Sequence, residues 1–350
     1  MVAGMRAREL GIELGDLPCG RLNAITDVPG VAVGHTTLIE GESVRTGVTV
    51  VLPHSGNMGA EPLFAGCHRI NGNGELTGLE WVRESGMLSS PIAITNTFSV
   101  GVVRDALCST GCTGGLPVVG ETWDGDLNDI YGMHVTSEHL HSAVAAAATG
   151  PVGEGNVGGG TGMICHEFKG GIGTSSRLVE QADCAVGVLV QANHGRRTRF
   201  RVTGLPVGER LTEARVPLPT SERTWPPSSS IIIVVATDAP LLPHQCDRLA
   251  ARTAFGIART GGVGENSSGD LAIAFATGNR FLLQEGSPSV TLSMLSDELI
   301  NHLFDAVIDA TEEAILNAVL AAKTMTGHRG ATATALEGDL LQEVLAELSP

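Results

Sequence analysis

Gly261-Gly262-Val263-Gly264-Glu265-Asn266-Ser267-Ser268-Gly269-Asp270 is a glycine-rich turn that carries two serines in tandem. An amphipathic stretch runs into it. After Asp238-Ala239-Pro240, residues Leu242, Cys246, Leu249, Ala250 and Ile257 recur at helical spacing, with Thr253 inside the stripe. Pro243 falls in the first turn, where proline is tolerated, and Gly261-Gly262 ends the helix. A short apolar strand, Leu271 to Thr277, runs out of the turn. A serine on a permissive turn at the mouth of a strand is a place for a nucleophile. No base is visible beside it in sequence, so the rest of the chain must supply one.

Working outward, Cys184 to Gln191 reads as a buried strand ending at Asn193, and Ile231 to Thr237 as a second central strand. The last long helix is expected to begin near Ser296, which can cap it. Its apolar stripe runs through Leu299, Leu303, Val307 and Ile315, and Thr311 falls inside that stripe. Glu312 and Glu313 lie one on each side of the stripe; an adjacent glutamate pair on a helix reads as a solvated face. In the first half, Val28-Pro29-Gly30 is a turn followed by a strand, and Gly41 makes a hairpin with the strand Arg45 to Pro53. Asn71-Gly72-Asn73-Gly74 is another turn, leading into a short helix over Leu76 to Ser85. A strand at Ile92-Ala93-Ile94 ends at Asn96, a small-residue helix covers Val100 to Leu107, and Thr136 can cap a helix through Ala148. Val118 to Asp129 reads as a polar loop, and Pro217 to Ser230 as an exposed one. The glycine-dense run Gly153 to Gly173 lacks the Gly-Lys-Ser/Thr ending of a phosphate loop, so it reads as turns and edge strands. Short strands, small helices and no regular βαβ repeat imply an α+β domain of stacked sheets covered by helices.

Composition narrows the class of activity. Of 350 residues 42% are hydrophobic but only 3% aromatic, so the core is built of Ala, Val, Leu and Ile. A formal charge of -16 disfavours nucleic acid and anionic membranes. The basic spot Arg196-Arg197 with Arg199 and Arg201 is short enough to be one loop and strand edge. No apolar run approaches the ~20 residues that cross a bilayer, and Met1 to Asp16 has no signal-peptide core. Seven cysteines without framework spacing read as small hydrophobes in a reducing compartment, and Cys108-x3-Cys112 has no second pair to make a zinc site. The 11 histidines form no ligand pair, His139 and His141 facing different ways on a helix. The expectation is a cytoplasmic soluble protein without metal or other cofactor.

These residues resemble the L-aminopeptidase/D-esterase and β-peptidyl aminopeptidase family almost end to end. The resemblance rests on Asn23 to Val31, Arg45-Thr46-Gly47-Val48-Thr49, Thr95-Asn96-Thr97, Val119-Gly120-Glu121-Thr122 and Gly158 to Arg177. It continues through Gly187 to Asn193, Ala236-Thr237-Asp238-Ala239-Pro240 and Asn266 to Phe275. It implies a four-layer αββα sandwich, a single peptidase domain over 1–350 that cuts itself before a serine or threonine. The new N-terminal residue becomes the nucleophile, activated by its own free amine.

The family places the nucleophile directly before Gly-Asp, which corresponds to Ser268 and to subunits 1–267 and 268–350. The residue before it is usually Gly or Asn and here is Ser267, so cleavage one bond earlier, with Ser267 as nucleophile, stays open. The resemblance further implies Asn193 as oxyanion donor, Thr311 and Glu313 as the helical pair that orients or deprotonates the nucleophile, and Glu121 as the anchor for the substrate's free amine. Trp123 stands where characterised members have a tyrosine, and it cannot donate a hydroxyl. The expected function is release of N-terminal residues from short peptides, amides or esters, D-residue and β-peptide substrates included, by a homo-oligomer of four or more chains. The alternatives are an ornithine-type acetyl transferase of related fold and a non-catalytic, self-associating binding protein.

Overall fold

The computed structural model describes residues 5–111, 114–220, 229–280 and 289–349; Cys112 and 221–228, the middle of the Pro217 to Ser230 stretch, lie outside these. Two sheets lie face to face. The strands are β1 (Ala32–Glu40), β2 (Val44–Leu52), β3 (Leu63–Gly72), β4 (Met87–Leu88), β5 (Ile92–Asn96) and β6 (Val118–Thr122). A two-stranded ribbon of β7 (Ile164–Cys165) and β8 (Phe168–Lys169) precedes β9 (Gly171–Val179), β10 (Cys184–Asn193), β11 (Ser229–Thr237) and β12 (Ser268–Ala276). One sheet has the order β1-β2-β5-β6 and the other β4-β3-β12-β11-β10-β9. Among the helices are α1 (Leu79–Ser85), α2 (Val100–Ser109), α3 (Ser137–Ala145), α4 (Pro243–Arg259) and α5 (Ile300–Leu320).

Alternation along the central strands explains the layers. On β11, Ile231, Ile233 and Val235 pack into a core shared with Leu249 and Ile257 of α4 and Val307 and Ile315 of α5. Ile232, Val234 and Ala236, on the other face, pack into the core between the sheets with Ile92 and Ile94 of β5. A third cluster joins Val48, Val50, Ala93 and Val119 to Leu107 of α2 and Leu140 of α3. The order helix, sheet, sheet, helix is the expected αββα sandwich. A strand apolar on both faces must be covered on both, and each Val or Ile withdrawn from water contributes about 1.5–3 kcal/mol.

Four local expectations need correction. First, β5–α2–β6 and β11–α4–β12 are parallel crossovers, whereas the expectation was of no regular βαβ repeat. The first was hidden because Val118–Thr122, read as polar loop, is a buried strand. Second, β12 begins at Ser268 rather than Leu271, since small and polar residues at strand ends carry little apolar signal; β10 ends at Asn193 as expected. Third, α5 begins at Ile300. Ser296 instead builds the turn before it, its carbonyl accepting from the Leu299 amide at 3.0 Å. Fourth, Glu312 and Glu313 are both buried. Their helix face is covered, and arginines pair with them there.

Candidate active site

The opening turn follows directly from α4. Gly261 has φ of 95°, open to glycine, and a Cβ there would lie 1.8 Å from the Arg199 carbonyl oxygen. The chain therefore folds back tightly, and the Ser268 amide closes a turn on the Glu265 carbonyl at 2.8 Å. Ser268 heads β12 with 1% of its surface exposed. Strand alternation puts Ser268 and Asp270 on the face of Ala272 and Ala274, toward α4 and α5. The Ser268 hydroxyl donates to Asp270 Oδ1. Burial lifts the Asp270 carboxyl to about 6, with Glu265 pushing the same way against the hydrogen bonds from Ser268 and the Ile231 amide. A carboxylate therefore does stand beside Ser268, two residues along the strand. It was missed because spacing of two on a strand means the same face, a reading that requires knowing β12 starts at Ser268.

A second turn clamps the first. Asn71-Gly72-Asn73-Gly74 ends β3, which pairs antiparallel with β12 and shifts register between Asp270 and Leu271. Asn71 Nδ2 donates to the carbonyls of Glu265 at 2.9 Å and Asn266 at 3.3 Å, and also to that of Ser268. Asn73 Nδ2 donates to the Ser267 carbonyl at 2.9 Å, and the Asn73 amide to the Ser268 carbonyl at 3.0 Å. Gly269 permits this approach: a Cβ on it would meet Gly74 Cα at 2.7 Å. The sequence showed Asn-Gly-Asn-Gly only as a turn. The signal available was its alternation, which presents two side-chain amides to one neighbour.

Asn193, Glu121 and Trp123 gather on the other side of β12. Asn193 faces Ser230 across β10 and β11, and Ser230 faces Gly269 across β11 and β12. Asn193 Nδ2 donates to the Trp123 carbonyl at 2.9 Å, and its Oδ1 accepts from the Ile164 amide at 2.8 Å. Glu121, 3% exposed, accepts from the Glu75 amide at 2.9 Å and from the Thr97 hydroxyl. A Cβ on Gly74 would lie 2.9 Å from Gly269 Cα and 3.1 Å from Glu121 Oε1, so this carboxylate stands against the turn that backs β12. Burial raises the Glu121 carboxyl above its usual range, opposed by the Thr97 hydrogen bond. The Trp123 ring meets Phe98 edge-on at 5.7 Å, and Phe98 packs on Tyr131 at 5.3 Å. A buried carboxyl thus stands beside an aromatic cluster.

Thr311 and Glu313 are not brought to Ser268. Glu313 accepts from Asn23 Nδ2, from Arg177 Nη2 at 2.7 Å and from Arg8 Nε at 3.3 Å. Arg177 faces Val186, which faces Thr237, which faces Ala276: three strands across from β12 and eight residues beyond Ser268. At about 3.3 Å per residue that is roughly 26 Å along the strands, before the three-strand offset across them is added. The Thr311 hydroxyl is buried without a hydrogen-bond partner, its Cβ lying where a Cβ on Gly256 of α4 would clash at 2.5 Å. Glu313 is thus paired away from Ser268, and Thr311 lies between α5 and α4.

A small pocket, with room for about one water molecule, lies on the Ser268–Asp270 face, lined by His194, Arg196, Arg199, Ser229 and Glu265. Arg196 and Arg199 both pair with Glu265 at 2.8 Å, which makes the basic spot of the sequence part of the turn's support. Behind it, Cys165, His166 and His194 bring ligand-type atoms within 4.8 Å of one another. Desolvation pushes the Cys165 thiol up to about 12 and the His166 imidazole down to about 4. The buried Lys169 acts electrostatically on the thiol, and desolvation pushes its own ammonium down to about 7. No helix among the described residues is long and apolar enough to cross a membrane.

Comparison with known proteins agrees with this architecture. The sequence model of peptidase family S58 matches residues 23–333. Beta-peptidyl aminopeptidase BapA of Sphingosinicella microcystinivorans is 46% identical over 366 aligned positions, covering 98% of this chain and 92% of the relative. The enzyme of the same name from Sphingosinicella xenopeptidilytica is 42% identical, covering 100% and 93%. A Burkholderia sp. beta-aminopeptidase superposes with a TM-score of 0.91 at 51% identity, covering 99% of each chain. The L-aminopeptidase D-Ala-esterase/amidase of Ochrobactrum anthropi, described as a prototype of the serine aminopeptidases and a variant of the Ntn-hydrolase fold, gives 0.89 at 41% identity over 98% and 99%. These matches support the peptidase reading and not the acetyl-transferase alternative. The chain belongs to peptidase family S58 and has the fold of its serine aminopeptidases.

Proposed function

We propose that the chain cuts itself between Ser267 and Ser268, and that the freed Ser268 then releases N-terminal residues from short peptides, amides or esters through an acyl-enzyme. One observation carries the choice of serine: Ser268 is buried at the head of β12 with its hydroxyl on a carboxylate, whereas Ser267 lies in the partly exposed turn before it. The subunits are then 1–267 and 268–350. In the uncut chain the hydroxyl faces Asp270 and the helices, while Asn193 lies on the face toward the second sheet. Cleavage gives Ser268 the freedom of a chain end, enough to turn toward that face, where Asn193 can present its second amide hydrogen to an oxyanion. Glu121 pairs with the substrate's ammonium, and the shelf of Phe98, Trp123 and Tyr131 receives the first side chain. The names of the relatives favour β-amino-acid residues at that position, with L-residue amides and D-residue esters as the second reading. The six described cysteines are free, which fits a reducing compartment such as the cytoplasm. The exposed Tyr131 and Met133 fit a face covered in a homo-oligomer of four or more chains.

A panel of aminoacyl-p-nitroanilides tests the substrate reading. β-Residue and small L-residue amides should be turned over, and N-acetylated counterparts should not. Equal rates on free and N-acetylated substrates would contradict the role given to Glu121.

A further inference from the structure

Self-cleavage and substrate turnover make different demands. In the first, the attacked carbonyl is that of Ser267, held in the turn. In the second it belongs to a bound substrate. Resting on the self-cleavage reading above, we infer that Asn73 and Asp270 are the processing machinery: Asn73 donates to the scissile carbonyl and Asp270 takes the Ser268 proton.

The placement of each atom supports this. The Ser267 carbonyl oxygen accepts from Asn73 Nδ2 at 2.9 Å, a donor already aimed where negative charge develops. The flanking carbonyls of Glu265, Asn266 and Ser268 are held by Asn71, so the peptide cannot swing away from Asn73. The attacking hydroxyl already donates to Asp270. Asn193, by contrast, has one amide hydrogen on Trp123 and its oxygen on Ile164, on the opposite face of the strand. The burial that lifts Asp270 to about 6 leaves it ionised at neutral pH yet basic enough to accept a proton.

The step balances as follows. Ser268 Oγ attacks the Ser267 carbonyl carbon as its proton passes to Asp270, and the oxyanion is held by Asn73. The carbon–nitrogen bond breaks, and the Ser268 nitrogen takes the proton from Asp270. This leaves an ester between Ser267 and the Ser268 hydroxyl and a free amine on Ser268. Water then hydrolyses the ester, giving a carboxylate at Ser267 and restoring the hydroxyl.

The groups that face Asp270 are few. They are Ser268 on its own strand, the Ile231 amide from β11, Asn71 opposite it on β3, Glu265 from the turn and, across the shared pocket, His194 at the end of β10. Arg196 and Arg199 point to Glu265.

The experiment is a time course of freshly synthesised full-length chain on a denaturing gel, for wild type, N73A, N73D and D270N. Removing one oxyanion donor should slow cleavage about 10²- to 10³-fold, and removing the base about 10²- to 10⁴-fold. Folding is controlled in the Ser268→Ala background, where nothing cuts: N73A and N73D should melt within a few degrees of S268A alone. If N73A fails to fold there, isosteric N73D decides. A folded Asn73 variant cut as fast as wild type overturns the role of Asn73, and a D270N chain cut at the wild-type rate overturns that of Asp270. A wild-type chain that stays whole overturns the self-cleavage reading itself, and this inference with it.

Discussion

Asp270 and Glu313 are both carboxylates withdrawn from water on the helix-covered side of the six-stranded sheet, yet their partners differ. Glu313 is held by Arg177, Arg8 and Asn23. No ion pair among the described residues involves Asp270; it receives a hydroxyl and a backbone amide. A carboxylate matched by a buried guanidinium holds elements together through charge-assisted hydrogen bonds. One that is desolvated without a cation keeps a proton affinity near neutrality and can exchange it. The difference lies in partners rather than burial, so the contrast can be broken by substitution.

The largest expected effect is at Ser268. Ser268→Ala should leave one uncut chain and no detectable hydrolysis, with an unchanged far-ultraviolet spectrum. Hydrolysis by folded S268A would place the nucleophile elsewhere, Ser267 first. Next is Glu313→Gln. It leaves Arg177 buried and unmatched, which should cost about 3–5 kcal/mol in denaturant unfolding of the S268A chain. A loss under ~1 kcal/mol, together with failure of the otherwise wild-type chain to cut, would return Glu313 to the reacting groups. Glu121→Gln should lower kcat/KM for free-amine substrates about 10- to 100-fold by losing one charged hydrogen bond, while self-cleavage proceeds. The smallest effect is graded. Asp270 must be ionised to accept the Ser268 proton and its carboxyl titrates near 6. Self-cleavage should therefore be flat above that pH and fall about tenfold per unit below it. A rate that rises as pH falls would contradict this sign.

The legible parts of the sequence were those written in apolar periodicity. The strands at 184–191 and 231–237 and helix α4 show themselves through Val, Ile and Leu at spacings of two or of three and four. The αββα order came from resemblance and was met by the packing. Polar and small residues at element ends carried no such signal. Glu121 was placed in a loop because Val118–Thr122 is short, and Glu313 was given the nucleophile as partner although its partner lies on β9, 136 residues away in sequence. Asp270 and Asn73 were both in view within quoted motifs. Their roles depend on where β12 starts and which turn packs on it, and these are tertiary facts. The two tandem serines differ in the same way: only Ser268 begins the strand and shares its face with Asp270.

The most direct test of this account is N-terminal sequencing of the smaller fragment from an active preparation. The expected first residues are Ser268-Gly269-Asp270, from a chain that has lost its 36.2 kDa band. A fragment beginning at Ser267, or full activity from an intact chain, would contradict it.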